Sequence, residues 1–366
     1  MSVVSLGELV SVQTGKLDAN ASSPDGAYPF FTCAREPLRI ADWKYDLDAI
    51  LVAGNGDLNV KHYKGKFDAY QRTYILSSKD ENRVDTRYLY HFMDTYLETL
   101  RAQSIGGIIK YIKLGMLTDA PIPLPPLDGQ KRIAAILDQA DELRRKRQCA
   151  IDRLNQLGQA IFNEMFGEWD RKGANTDVIQ LGDHLDFLTS GSRGWAEYYR
   201  ESGGLFLRIQ NVKRDELDLS DVAYVDAPNS AEAKRTRVEP GDVLLSITAD
   251  LGRTAVIPED IGEAYINQHL AIIRSRAFKP RFLSAALASP SGQRGILKRN
   301  REGVKAGLNF DDVRSVMIPK VSMDMQDAFS RRLDFADRLR NAQKNALKVA
   351  SDLFASLQHR AFQGEL

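Results

Sequence analysis

One segment of this chain occurs twice. Residues 122–166 read IPLPPLDGQKRIAAILDQADELRRKRQCAIDRLNQLGQAIFNEMF, and the same pattern returns at residues 318–362. At a fixed, ungapped offset of 196, Ile122-Pro123 falls on Ile318-Pro319, Asp128 on Asp324 and Gln130 on Gln326. Leu137-Asp138 falls on Leu333-Asp334, Ala140-Asp141 on Ala336-Asp337 and Leu143-Arg144 on Leu339-Arg340. The register extends upstream, where Gly107 meets Gly303 and Leu117 meets Val313. Agreement at one offset over such a length marks an internal duplication, which constrains the fold more than any local motif. It predicts globular unit, long helix, globular unit, long helix, related by a pseudo-two-fold. The fold class is then α+β: two globular α/β units with twisted sheets, separated by two long antiparallel helices.

Composition enters as a bound. A chain of 366 residues suggests two or three domains, and the duplication favours two. A net charge of +1 excludes a molecule that is basic all over, so any basic character is local. Cys33 and Cys149 lack metal-ligand spacing, which fits a reduced, cytoplasmic protein. The opening MSVVSLGELV has no basic region and no stretch reaches about 18 apolar residues, so neither a signal peptide nor a membrane span is expected.

Within the first unit, Leu6-Gly7-Glu8 precedes a polar loop with Ser22-Ser23-Pro24-Asp25-Gly26. Ala49-Ile50-Leu51-Val52-Ala53 is a short apolar strand ending at the turn Gly54-Asn55-Gly56-Asp57, and residues 70–76 alternate like another strand. Residues 86–102 carry apolar side chains at helical spacing (Tyr88, Leu89, Phe92, Met93, Tyr96, Leu97, Leu100). Gly106-Gly107 turns into a short strand. Pro121, Pro123, Pro125 and Pro126 predict a stiff irregular connector, and Asp128 an N-cap. The helix that follows spans about 38 residues, a rod of roughly 57 Å. Its stripe (Ile133, Ile136, Ala140, Leu143, Ala150, Leu154, Leu157, Ile161) is too narrow to stand alone. The second copy offers a matching stripe, and the pairing is expected at Ile133, Leu137, Ala140, Leu143 and Leu154 against Phe329, Leu333, Ala336, Leu339 and Leu347.

Residues 167–175 are a polar hinge, and the second unit opens with Leu181-Gly182-Asp183, echoing Leu6-Gly7-Glu8. Strands are expected at residues 206–209, 243–247 and 264–273, and a helix at 281–288. Asp48-Ala49-Ile50-Leu51 aligns with Asp242-Val243-Leu244-Leu245, and Ala69-Tyr70-Gln71 with Ala264-Tyr265-Ile266. One scaffold is used twice with different loops.

Signatures of catalysis are absent. Lys64-Gly65-Lys66 lacks the spacing of a phosphate-binding loop, and Gly54-Asn55-Gly56 reads better as a hairpin turn than as half a dinucleotide fingerprint. His62, His91, His184, His269 and His359 are scattered, with no HExxH or Cys/His cluster for a metal. No Asn-Pro-Pro-aromatic tetrapeptide for amino methylation occurs, and Asp48, Asp57 and Lys61 are a weak match to a nuclease carboxylate set. What remains is polar and basic loop surface that recurs in both copies. The DNA-binding candidates are Lys61, His62, Tyr63, Lys64 and Arg72 in the first unit, Gln71 lying beside the last of these. In the second they are Ser192, Arg193, Trp195, Arg208, Gln210, Asn211, Arg253, Gln268, Arg299, Arg301 and Lys305. Arg, Asn and Gln make bidentate contacts to base edges, and loop Lys and Arg hold phosphates.

The chain resembles the specificity subunits of type I restriction-modification enzymes, over essentially its whole length. The resemblance lies in Ile-Pro-Leu-Pro-Pro-Leu before Gln130-Lys131-Arg132-Ile133, in Leu137-Asp138 and in Met165-Phe166-Gly167. It continues in Gly241-Asp242-Val243-Leu244 and in Ala361-Phe362-Gln363-Gly364-Glu365-Leu366. Gly129 and Met325 stand where the family often has glutamate, and Val321-Ser322 replaces the second proline pair. The family implies target recognition domains at residues 1–120 and 171–317, each reading half of a bipartite DNA site, with conserved spacer helices at 121–170 and 318–366. It implies double-stranded DNA and two modification (methyltransferase) subunits as partners, with restriction subunits beside them. It also implies no cofactor on this chain, with S-adenosylmethionine, ATP and Mg on those partners. The chain would thus be non-catalytic. Two rivals are a stand-alone nuclease or methyltransferase, testable by assaying the purified chain with metal or S-adenosylmethionine, and a coiled-coil adaptor that binds proteins at its globular ends. The adaptor would show no salt-dependent, sequence-selective DNA binding.

Overall fold

The computed structural model describes residues 2–174, 176–300 and 307–366. The chain divides into two units, Met1–Gln148 with Lys344–Leu366, and Cys149–Gln343, so each contains part of both long helices. The first unit runs β1 (Ser2–Ser5), α1 (Leu6–Leu9), β2 (Val10–Thr14), β3 (Tyr28–Phe31), β4 (Leu38–Ile40), β5 (Tyr45–Ala53), β6 (Val60–Ala69), β7 (Thr73–Ser78), α2 (Thr86–Gln103), α3 (Leu114–Thr118) and β8 (Pro121–Leu124). The chain continues through α4 (Leu127–Phe166) into β9 (Val178–Gln180), β10 (Phe187–Ser190), β11 (Tyr199–Arg200), β12 (Gly204–Leu207), β13 (Ala223–Val225), α5 (Ala231–Thr236), β14 (Val243–Ser246), β15 (Thr254–Val256), β16 (Ala264–Ile266) and β17 (Leu270–Arg274). Then come α6 (Pro280–Ala288), α7 (Pro290–Leu297), α8 (Phe310–Arg314), β18 (Met317–Pro319) and α9 (Met323–Gln363). Among the described residues no helix is long and apolar enough to cross a membrane.

The first unit's sheet has the order β2-β7-β5-β6-β3-β4. β5 is apolar without alternation because both its faces are covered: Ile50 and Val52 meet Leu89 and Met93 of α2, while Ala49 and Leu51 meet Phe31 and Phe67. The second unit repeats this plan with one break. β10-β17-β14-β15 and β11-β13-β12-β16 are separate sheets, because the ten-residue run of β6 is replaced by the short strands β15 and β16.

Strand register corrects the sequence alignment. Ala53 pairs with Thr73 on β7, and Ser246 holds the same place opposite Leu270 on β17. Asp48 therefore matches Gly241, one residue from the expected Asp242. A one-residue slip exchanges faces, and indeed Ile50 matches Val243 in the larger core, not Leu244. Likewise Phe31 lies beside Ala69 as Leu207 lies beside Ile266, so Ala69 matches Ile266, not Ala264. The expected single strand over residues 264–273 is two strands, with Asn267-Gln268-His269 forming the turn between them. Tyr70-Gln71-Arg72 is likewise a bridge and turn before β7 rather than part of it. No strand forms at residues 108–110.

Only Pro125-Pro126 of the proline connector lie outside regular structure. Pro121–Leu124 forms β8, paired with β1, and Met317–Pro319 forms β18, paired with β9. α4 begins at Leu127, so Asp128 sits inside the first turn, where its charge still opposes the helix dipole. What pins each long helix is a buried glutamine. Gln130 accepts from Asp85 N (2.9 Å) and donates to Arg83 O (3.1 Å) and Pro125 O (2.9 Å). Gln326 does the same work with Lys279 N (2.8 Å) and Val321 O (3.0 Å). An arginine from the domain helix adds a second pin: Arg87 Nε to Asp138 (3.1 Å), and Arg281 Nη1 to Asp334 (2.6 Å). His91 completes the first, 2.7 Å from Asp138.

Phe162 of α4 packs edge-on against Phe329 of α9, and Gly158 faces Leu333, so the helices run antiparallel in the second unit. In the first, Arg144 lies over Phe354. Ile133, Leu137, Phe329, Leu333 and Ala336 are buried, and Ala140, Leu154 and Leu347 are half-buried. Leu143 and Leu339, by contrast, are 41% and 40% exposed. Each helix end packs into the core of a unit, with Tyr88 and Leu89 on one side and Phe282 and Leu283 on the other. At Leu143 and Leu339 the apolar stripe expected of each helix is interrupted. The polar hinge is also anchored: Trp169 is buried beside Phe162, and Asp170 accepts from Arg294 Nε (2.6 Å) and Ser291 (2.5 Å). Asn175 lies outside the described residues.

Candidate nucleic-acid interface

In each unit several of the candidate residues lie at one end of the sheet, Arg72 in the first and Ser192, Arg193 and Gln268 in the second. In the first, β2, β3 and β5 all end there, at Thr14, Phe31 and Ala53, and the turn at Gln71-Arg72 stands between them. In the second, β10, β12 and β14 end at Ser190, Leu207 and Ser246, around the turn at Gln268-His269. The ends of strands supply a rigid base, and the loops beyond them are free to vary.

The candidates fall into two groups. Arg72 and Arg193 are exposed, with no ion-pair partner among the described residues. Lys64 is 77% exposed and only 3.4 Å from Asp48. Gln210 is exposed and donates to Asp221 (2.9 Å). Ser192 accepts from Arg235 (3.0 Å), whose guanidinium also donates to Ser190 O (2.6 Å). Gln268 lies 3.1 Å from His269 Nε2. These side chains can meet a ligand without unfolding anything.

The second group is held by contacts inside the protein. Trp195 is 5% exposed and stacks on Phe206 and Tyr265. Asn211, 1% exposed, donates to Asp218 O (3.0 Å) and Asp221 O (2.7 Å) and accepts from Arg208 N, tying its own loop. Tyr63 packs against Phe31 and Phe67. His62 is 2.7 Å from Asp48. Lys61 is drawn inward to Thr32 O (3.4 Å) and Asn59, and burial pushes its ammonium down to about 8. Arg299 donates to Gly295 O (2.6 Å) and Ser315 Oγ (2.5 Å), Arg253 to Asp250 Oδ2 (2.7 Å), and Arg208 to Asp221 O (3.2 Å). Each spends its charge inside the protein. Arg301 and Lys305 lie outside the described residues.

The structure also brings forward further residues at these ends. A cleft of about 290 Å³ is lined by Thr14, Gly54, Gln71, Arg72, Tyr74, Tyr111 and Ile112. In the second unit a wider one, about 760 Å³, is lined by Ser190, Gly191, Arg193, Thr248, Ala249, Gln268, His269 and Gly307. Gln71, Tyr111, Thr248 and His269 were not among the DNA-binding candidates. Gln71 and His269 stand in sequence beside the candidates Arg72 and Gln268, while no sequence motif marks Tyr111 and Thr248, which only strand register brings in. Among the described residues no group of three His, Cys, Asp or Glu is placed to hold a metal ion.

Two folds built on one plan, presenting different polar loops at equivalent ends, suit a recognition module better than a catalyst. Comparison with known proteins decides the family. Over 99% of its length the chain is 37% identical to the Escherichia coli type I restriction enzyme EcoDI specificity subunit, covering 88% of that protein. It belongs to the type I specificity subunits. The model of the type I restriction modification DNA specificity domain matches residues 1–153 of this specificity subunit. The EcoBI specificity subunit of Escherichia coli is 24% identical over 88% of the chain and 74% of its own length. The type I S subunit of M. genitalium shares its fold, at a TM-score of 0.61 and 17% identity over 99% of this chain and 96% of that one.

Proposed function

We propose that this specificity subunit reads a bipartite sequence in double-stranded DNA, one half with residues 1–120 and the other with residues 171–317, the helices of 121–170 and 318–366 acting as spacer. It would do so within an assembly whose two modification subunits bind S-adenosylmethionine, with ATP and Mg used by restriction subunits where these are present. The observation that carries this reading is the repeated gathering of accessible polar side chains, Gln71 and Arg72 in one unit, Arg193 and Gln268 in the other, at equivalent sheet ends. Lys64, Arg193 and their neighbours would hold phosphates and set register, leaving base edges to the side chains in the clefts. The test is co-expression with the neighbouring modification subunit and mapping of methylated bases in the host genome. A split motif, two fixed halves around an unspecified gap, is expected. A single uninterrupted motif, or no methylation dependent on this chain, would overturn the proposal.

A further inference from the structure

Five backbone hydrogen bonds repeat around the two turns. In the first unit Tyr70 N donates to Phe31 O, Thr73 N to Tyr70 O, Gly15 N to Thr73 O, Gly54 N to Arg72 O and Ile112 N to Gly54 O. In the second, Asn267 N donates to Leu207 O, Leu270 N to Asn267 O, Gly191 N to Leu270 O, Ile247 N to His269 O and Leu308 N to Ile247 O. Each bond has its counterpart, so Gln71 matches Gln268 and Arg72 matches His269. Two glycines let the chain pass close to these turns: a Cβ on Gly15 would stand 2.0 Å from Ala69 O, and one on Gly191 2.1 Å from Asn267 O. The clefts beside the turns are therefore equivalent places, with Thr14 matching Ser190 and Tyr111 matching Gly307 across their walls.

We propose that these turns carry the base-reading side chains, with Gln71 and Gln268 each reading an adenine in its own half-site and the next residue reading a different base in each. This rests on the bipartite reading above. A carboxamide offers one donor and one acceptor side by side, the complement of adenine N7 and N6 in the major groove. The backbone cage holds both glutamines in the same frame, so one geometry can be used twice. Their neighbours then separate the half-sites. Arg72 has only donors and matches guanine O6 and N7. His269 differs: its Nδ1 lies 2.5 Å from Thr248 Oγ1 and its Nε2 is 3.1 Å from the Gln268 amide nitrogen. Both contacts are satisfied when Nδ1–H donates to Thr248 and Nε2 accepts from the Gln268 amide; when that amide turns to adenine, the Nε2 lone pair is released, and His269 then offers an acceptor where Arg72 offers donors. It suits the amino group of cytosine or adenine.

The test uses the assembly with its modification subunits and a panel of duplexes carrying single base-pair changes across the mapped motif. Gln71→Ala should lower discrimination at one A·T position of one half-site by about tenfold or more, and Gln268→Ala should do so at one A·T position of the other. Gln71→Glu should move preference at its position toward cytosine, whose amino group a carboxylate accepts from. Neither glutamine is buried, and melting temperatures of the variants should match the parent. Unchanged discrimination, or an equal loss of affinity for every duplex, specific and non-specific alike, would overturn the inference. If the parent assembly has no split motif, the function proposed above fails instead.

Discussion

Asp215 holds a carboxyl whose surroundings disfavour its charge. Its backbone is left-handed (φ 60°), and its carboxyl accepts from Ser284 with Arg281, Arg340 and Asp337 nearby. Burial outweighs the two arginines and pushes it up to about 7. Because this is above the unfolded value of about 4, the stability it contributes is full below about pH 4 and lost as pH rises through 7. Thermal melts at pH 5.5 and 8 should therefore diverge less for Asp215→Asn than for the parent; an unchanged difference would place the titration elsewhere. Lys61 runs the other way. Its folded value near 8 is depressed, so protonating it below that pH costs stability. Lys61→Met should leave the salt dependence of DNA binding by the assembly unchanged, whereas Lys64→Ala or Arg193→Ala should each flatten log K against log salt by about one. A flattened slope for Lys61→Met would put it back on phosphate. At this scale the sequence showed which loops are polar, not which polar side chains are spent. An arginine paired to an aspartate in its own loop, as Arg253 is to Asp250, looks the same in sequence as a free one. The packing of Trp195 was illegible for a related reason: its stacking partners arrive through the parallel pairing of β12 and β16, residues far apart in sequence.

Among elements, the long helices were the most legible, since a duplicated stripe and a fixed offset report on themselves. Their supports explain the offset. Gln130 and Gln326, and Asp138 and Asp334, recur because each fixes a helix to its own domain. Gln130→Ala would leave Asp85 N, Arg83 O and Pro125 O without their partner, at a cost of about 2–3 kcal/mol, and chemical denaturation should register it. Leu137→Asp and Leu333→Asp place a charge in the core and should cost several kcal/mol. Leu143→Asp, at an exposed position, should change stability by less than about 1 kcal/mol. Equal losses at Leu137 and Leu143 would restore the continuous seam. Strand positions were read less well than helix positions. Apolar runs covered on both faces, such as Ala49-Ile50-Leu51-Val52-Ala53, contain no alternation to fix register, and the alignment between units slipped by one residue there. The prolines of β8 were read as breakers, although a two-stranded edge ladder tolerates them.

At the scale of the whole molecule, duplication yields two frames of like geometry whose loops have diverged. The β15–β16 break, the long excursion from Leu207 to Ala223 and the differing walls Tyr111 and Gly307 all lie outside the conserved hydrogen bonds of the turns. On the proposed reading, specificity would change in one unit without disturbing the other or the helices. The direct test is an exchange of residues 171–317 for the matching segment of a relative with a different motif, followed by sequencing of methylated bases in cells that express the assembly. One half of the motif should change while the other half and the gap stay as they were; a swap that altered both halves, or neither, would contradict the account.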